Sequence, residues 1–364
     1  MLLACMLGGL AGCSRFKFHK ESHETVYVWT RKMYLRDRVA AVSNHVGEVT
    51  NGQPLEVLEH GRRFLRVKTA TGEMGWIPER AVIDKATYDG FSQLAGQHKN
   101  DPVVANGTLR DEVYLHVNPG RETDRFYLLP ENEKVVMLVR ASVAKAAAGT
   151  PAPKPVVPQT GANPGAATQP EAPVLEDWWL IRDGEDRTGW VLANRVDVSV
   201  PDEIAQYAEG QRMVGAYVIA KVRDDESSVP DHMVPEYVTA LSPPKAGLPY
   251  DFDQIRVFTW SLKRHRYETA FRIRPIQGYL PVAVTSEPAP GGTEPVFSFQ
   301  ISTSPDISIN PETGIARPVA PRTLRFALRD TSVRRVGPDV APIPVIRSAE
   351  DKAKAAQKKA ARKK

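Results

Sequence analysis

The chain has 364 residues, of which 42% are hydrophobic and 25% charged, with a formal net charge of +5 and thirty prolines. These values fit a globular protein of two or three domains, and two cysteines are too few for a disulfide scaffold. The one continuous apolar run, residues 1–12, is shorter than the roughly 20 residues a membrane-spanning helix needs.

That run ends Leu10-Ala11-Gly12-Cys13. It resembles the lipobox of bacterial lipoproteins, which implies a signal peptide over residues 1–13 and acylation of Cys13. Cys5 has no apolar run before it and is the poorer site. Met1-Leu2-Leu3-Ala4 lacks the positive charge a signal peptide begins with, so the true start is expected upstream. Ser14 after the cysteine, by resemblance to Gram-negative sorting, favours outer-membrane anchoring in the cell envelope, with the chain facing the periplasm or the exterior. Residues 14–24 carry Arg15, Lys17, His19 and Lys20 around Phe16 and Phe18, a tether beside anionic headgroups or a solvated linker.

Residues 25–84 and 104–198 repeat one pattern. The first ends with Phe64-Leu65-Arg66-Val67, a Thr71-Gly72 turn and Gly75-Trp76-Ile77; the second with Trp179-Leu180-Ile181, an Asp183-Gly184 turn and Gly189-Trp190-Val191. Strand, glycine turn and Gly-Trp-aliphatic strand make a β-hairpin. Gly75 and Gly189 are read as sites of close approach, and Trp76 and Trp190 as largely buried core residues. Upstream lie Leu35-Arg36-Asp37 and Gly52-Gln53-Pro54-Leu55-Glu56-Val57 in the first copy, and Leu115-His116-Val117-Asn118-Pro119-Gly120 and Glu133-Lys134-Val135-Val136-Met137 in the second. This order resembles the bacterial SH3 (SH3b) domain, which implies two SH3-like small barrels. The resemblance also implies binding of short cell-wall peptides between the first loop and neighbouring strands. By position that groove would use Tyr34, Arg36 and Asp37 in the first copy, and His116, Asn118, Glu176 and Trp178 in the second.

Between the copies, residues 86–100 have a weak helical pattern. Residues 141–176 interrupt the second copy at a hairpin tip with an alanine- and proline-rich insertion, expected to be disordered or polyproline II-like. Strand alternation points one of Trp178 and Trp179 inward and the other outward, as an exposed platform or as packing for the insertion. Residues 201–212 open with Pro201, acids and a later Gly210, the marks of a short helix. Residues 213–345 read as an antiparallel β domain, a sandwich or partly open barrel, so the fold class is mainly β with disordered linkers and tail. The tail, 346–364, holds eight basic residues against Glu350 and Asp351, so the rest of the chain is close to neutral. A basic tail on an exported protein does not point to nucleic acid.

No phosphate loop, nucleophile elbow or metal-ligand spacing is present, and no metal or cofactor is expected. A Ser-His-Asp arrangement around His265 and Asp253 is formally possible, which would make residues 213–335 a cell-wall hydrolase. Lys263-Arg264-His265-Arg266 could contact anions on a partner, or be a solvated hairpin tip. The leading expectation is a lipid-anchored, non-enzymatic binding or adaptor protein for cell-wall peptide or an envelope protein. The alternative is a structural lipoprotein that binds only protein.

Overall fold

The structure, a computed structural model, describes residues 24–145, 173–290, 292–304, 306–339 and 341–344. The signal segment, nearly all of the tether, most of the insertion and the tail lie outside the described residues, Cys13 among them. The chain is mainly β, and its contacts divide it into two compact units after Lys85.

The first unit is one antiparallel sheet of seven strands: β1 (Thr25–Val28), β2 (Lys32–Arg36), β3 (His45–Thr50), β4 (Pro54–His60), β5 (Phe64–Lys68), β6 (Met74–Pro78) and β7 (Val82–Ile83). Their order across the sheet is β3-β2-β6-β5-β4-β1-β7, and the ladder does not close on itself. Alternation along β5 and β6 sends Leu65, Val67 and Ile77 to one face, where they join Val26, Leu35, Val49 and Leu55 in a single cluster. A sheet whose buried residues all meet on one face must curl, and the register shift between Val57 and Glu59 bends β4 toward that shape.

The second unit begins at Ala86, inside α1 (Lys85–Gln97), and repeats the sheet as β8 (Ala105–Leu109), β9 (Val113–His116), β10 (Arg125–Leu129), β11 (Lys134–Ala144), β12 (Leu175–Arg182), β13 (Thr188–Leu192) and β14 (Val196–Val198). Its order, β10-β9-β13-β12-β11-β8-β14, matches that of the first sheet strand for strand. The bulge recurs too, between Met137 and Val139. Ladder pairing extends to Ala144 and back from Leu175, so strand occupies both ends of the stretch expected to be disordered.

Close approach at the two glycines holds. A Cβ on Gly75 would lie 2.8 Å from Leu35 Cβ, and one on Gly189 would lie 2.6 Å from Leu115 Cβ and 3.2 Å from the His116 carbonyl. Backbone and a β-carbon cannot yield as a flexible side chain does. Gly189→Ala is therefore expected to destabilise the second unit by about 1–3 kcal/mol, read as a lower urea midpoint with an unchanged slope.

After α2 (Asp202–Ala205), which runs into a 3-10 turn over Gln206–Ala208, come β15 (Arg212–Arg223), β16 (Met233–Ser242), β17 (Gln254–Ser261) and β18 (Arg266–Ile273), paired in that order. A second sheet, in the order β19-β20-β23-β24, contains β19 (Gly278–Ala289), β20 (Gly292–Ser302), β23 (Pro321–Arg329) and β24 (Ser332–Arg335). Between β20 and β23 the small ladder of β21 (Ile307–Ile309) and β22 (Ala316–Pro318) stands apart. Val238, Ile255 and Val257 of the first sheet share a core with Phe297, Phe299 and Phe326 of the second. The two sheets are therefore the halves of a sandwich. The other face of the β15–β18 sheet is buried as well, with Ile204 of α2 against Tyr237, Leu241 and Phe258. Burial on both faces explains the unbroken run of buried residues from Gln254 to Thr259 on β17.

Candidate functional site

Matching the two sheets residue by residue shows what each does with its outer face. Arg36 pairs with Trp76 across the first ladder, and His116 with Trp190 across the second. From those registers Arg38 corresponds to Asn118, Val39 to Pro119, Phe64 to Trp178 and Trp76 to Trp190. Both tryptophans after the glycines point away from the curled core, opposite to Ile77 and Val191. The expected core role is thus corrected for Trp76, which is half-buried and outside the core cluster. Trp190 is 2% exposed, but in a separate cluster with Leu138, Trp178 and Leu180.

In the second copy this face is closed. Leu94 of α1 and Ile315, just before β22, pack against the Trp178–Trp190 cluster. Trp178 and Trp179 do point to opposite faces, but they are 1% and 5% exposed, so no outward platform exists. The His116 ring meets Trp178 edge-on at 5.1 Å. The 117–124 loop folds down beside them: Thr123 Oγ1 lies 3.0 Å from His116 Nδ1 and donates to the Asn118 carbonyl, and Pro119 is buried. Arg121 donates two hydrogen bonds to Glu176, at 2.8 and 2.7 Å, and holds its carboxyl below the usual range. His116, Glu176 and Trp178 are therefore brought together, but as a packed cluster with partners of its own, while the Asn118 side chain is exposed at the loop and only its carbonyl is engaged.

Burial, and after it the charge of Arg125, holds the His116 imidazole below its ordinary value of 6.5. The unfolded chain then takes up this proton more readily than the folded one. The stabilisation is present above that value and is lost as pH falls through it. Thermal melts between pH 7.5 and 5.5 are expected to show a decline that is shallower in His116→Gln. An identical slope in the variant would remove His116 as the titrating group.

In the first copy the equivalent face is open. A groove of about 690 Å3 is lined by Arg38 and Val39 from the β2–β3 loop, Gly61, Arg62 and Arg63 from the β4–β5 turn, and Phe64 and Trp76 beneath. The Trp76 ring runs over Gly61, where a Cβ would come within 3.1 Å of Cζ3. No protein-family model and no curated protein matches the chain. It is similar to the solved structures of NlpC2 and NlpC1 from Trichomonas vaginalis, each at 10% identity and a TM-score of 0.16. These matches cover 58% of this chain and 61% and 58% of those proteins. The chain thus spans about three fifths of either, and likeness at that score carries no argument about fold or function.

The residues expected in the first groove stand at its side. Tyr34 is exposed and stacks on His45, with ring centroids 4.4 Å apart, and Lys32 sits over its ring. Arg36 is half-buried and donates to Ser43 Oγ at 3.0 Å. Asp37 closes the base of the loop by accepting from the Asn44 amide and side chain, at 2.9 and 3.0 Å. These three shape the loop, whereas Phe64, Trp76, Arg62 and Arg63 face the groove. The sequence pattern assigns Trp76 to the core and Phe64 to an alternating strand, and it does not single out the two arginines. Adjacent arginines in a tight turn before an outward-facing aromatic are the signal that was available.

The His265–Asp253 pairing is corrected. His265 Nδ1 faces Asp224 at 2.8 Å and Nε2 faces Glu226 at 3.2 Å, while Asp253 accepts from Gln211 at 3.2 Å. With both ring nitrogens against carboxylates, this imidazole has no free nitrogen to activate a hydroxyl. Arg264 and Arg266 pair with Glu268, as at a solvated hairpin tip. Among the described residues no group of three or more His, Cys, Asp or Glu could hold a metal ion, and no helix is long and apolar enough to cross a membrane.

Proposed function

We propose that the chain is a lipid-anchored, extracytoplasmic binding protein whose first sheet takes a short peptide bearing free carboxylates in the Phe64–Trp76 groove. One observation carries this reading: the outer face that the second sheet buries is left open in the first, with an aromatic floor and an arginine rim. Arg38, Arg62 and Arg63 are strongly exposed there. Arg62 and Arg63 make no ion pair among the described residues, so their charge is available to a ligand. An aromatic floor supplies contact area at low conformational cost, and arginine forks give directional recognition of carboxylates. The second sheet, closed by its own loop, serves as scaffold. Cell-wall peptide is the ligand we favour, on the SH3b resemblance and the lipobox at Cys13; a protein ligand of the envelope is the alternative.

Co-sedimentation of the purified chain with sacculi tests this. Trp76→Ala and the pair Arg62→Ala/Arg63→Ala are each expected to lower the bound fraction at least about tenfold, as interface anchors do, with melting unchanged in the arginine pair and stability lowered by about 1 kcal/mol in Trp76→Ala. Full retention by both variants would rule out the groove. Loss of binding only to an envelope protein, with no affinity for sacculi in the parent chain, would select the alternative ligand. For the anchor, Cys13→Ala is expected to abolish labelling by a clickable fatty acid; undiminished labelling would move the site to Cys5 or upstream.

A further inference from the structure

A second cavity, independent of the first-sheet groove, lies in the other compact unit, at the end of the sandwich beside α2. It has a volume of about 570 Å3, and Tyr237, Trp260, Tyr267, Glu203, Glu226 and His265 are among its lining residues. The three rings come from three adjacent strands. Trp260 and Tyr267 meet edge-to-face at 5.0 Å, and Tyr237 is tilted against Tyr267 at 5.9 Å, so together they form an aromatic corner.

The polar ends of these rings are tied elsewhere. Trp260 Nε1 donates to Asp224 at 2.7 Å, and the Tyr267 hydroxyl donates to the Pro235 carbonyl at 2.8 Å. Two rings are thus fixed before any ligand arrives. Asp224 is fully engaged, since it also takes His265 Nδ1 and the Glu226 amide. The carboxylates at the rim differ from it. Glu203 is exposed and has no cation beside it among the described residues, and Glu226 has only His265. Burial and then the negative charge of Glu203 push the Tyr237 hydroxyl up, which places that charge close to the rings.

We infer that this cavity binds an alkylammonium group, such as the end of a lysine-type side chain. The electron-rich faces of tyrosine and tryptophan attract a cation. Carboxylates at the mouth add Coulombic attraction and raise the local concentration of cations. Val229, Pro230, Val234 and Pro235 provide apolar wall for the alkyl stem. An anion would meet two carboxylates there, since His265, the one basic lining residue, is held between Asp224 and Glu226, and a neutral alcohol would gain only the apolar wall.

The experiment is calorimetric titration of the full chain at fixed ionic strength with n-butylammonium chloride, with 1-butanol as the neutral isostere. Saturable binding of butylammonium, and none of butanol at the same concentrations, is expected. Glu203→Gln/Glu226→Gln changes only exposed side chains, so it should melt as the parent does while binding weakens about tenfold. Trp260→Phe, which keeps an aromatic ring, should bind with intermediate affinity. Absence of saturable butylammonium binding, equal binding of butanol, or an unchanged affinity in the double glutamine variant would each overturn the assignment.

Discussion

Replacing Arg140 by methionine is expected to destabilise the second unit by about 3–5 kcal/mol, the range found when one partner of a buried ion pair is removed. Arg140 lies on β11 with its side chain 8% exposed. Its Nε donates to Asp251 at 3.0 Å, Nη1 to Ser142 at 3.0 Å and to Asp177 at 3.2 Å, and Nη2 to the carbonyls of Leu248 and Tyr250 at 2.7 and 2.6 Å. One guanidinium therefore joins the second curled sheet to the segment that leads into β17. Methionine would leave Asp177, 3% exposed, with only Arg212 at 3.7 Å as a cation, and would remove the donor to the carbonyls of Leu248 and Tyr250, both half-buried. Urea unfolding followed by far-ultraviolet circular dichroism would read this. Replacing Asp177 and Asp251 by leucine in the same chain should recover part of the loss, because no uncompensated carboxylate then remains. A loss under about 1 kcal/mol for Arg140→Met would mean that the network is as dispensable as a surface pair.

The second large effect separates two tryptophans that look alike in sequence. Trp190→Ala is expected to cost about 3–5 kcal/mol, since it opens a cavity among Leu138, Trp178 and Leu180 that surrounding strands cannot collapse to fill. Trp76→Ala should cost about 1 kcal/mol, because Ile77 and not Trp76 holds the first core, and the lost contacts lie at a solvated groove. Equal costs in chemical denaturation would contradict the division between a closed and an open copy.

The repeat was legible because each hairpin carries its own marks: an alternating strand, a glycine turn and a glycine that must admit a neighbouring leucine. Those are local signals, and they fix strand order once two copies can be laid side by side. The covering of Trp178 was not legible. The residues that cover the cluster, Leu94 and Ile315, are about 80 and 140 positions away, and nothing in the period-2 pattern of β12 reports them. The same holds for His265, to which Asp253 lies closer in sequence than its actual partner. The β15–β16 connection brings Asp224 to it instead, from 41 residues away. Among the strands, β21, β22 and β24 have three or four residues each, too few to show a period in the sequence. The candidate site was half legible. Arg36 and Asp37 mark the loop beside the first groove but do not line it, and Trp76 in its floor carries the same Gly-Trp signal as the buried Trp190.

The most direct test of the central claim, that only the first sheet presents its outer face to a ligand, is fluorine NMR of the full chain labelled with fluorotryptophan. Substitution of each tryptophan assigns the six resonances, and soluble muropeptides released from sacculi are then titrated in. The Trp76 resonance is expected to shift progressively and saturably, while those of Trp178 and Trp190 stay in place. A shift confined to Trp178 or Trp190, or no shift of Trp76 under conditions where the chain binds sacculi, would contradict the account.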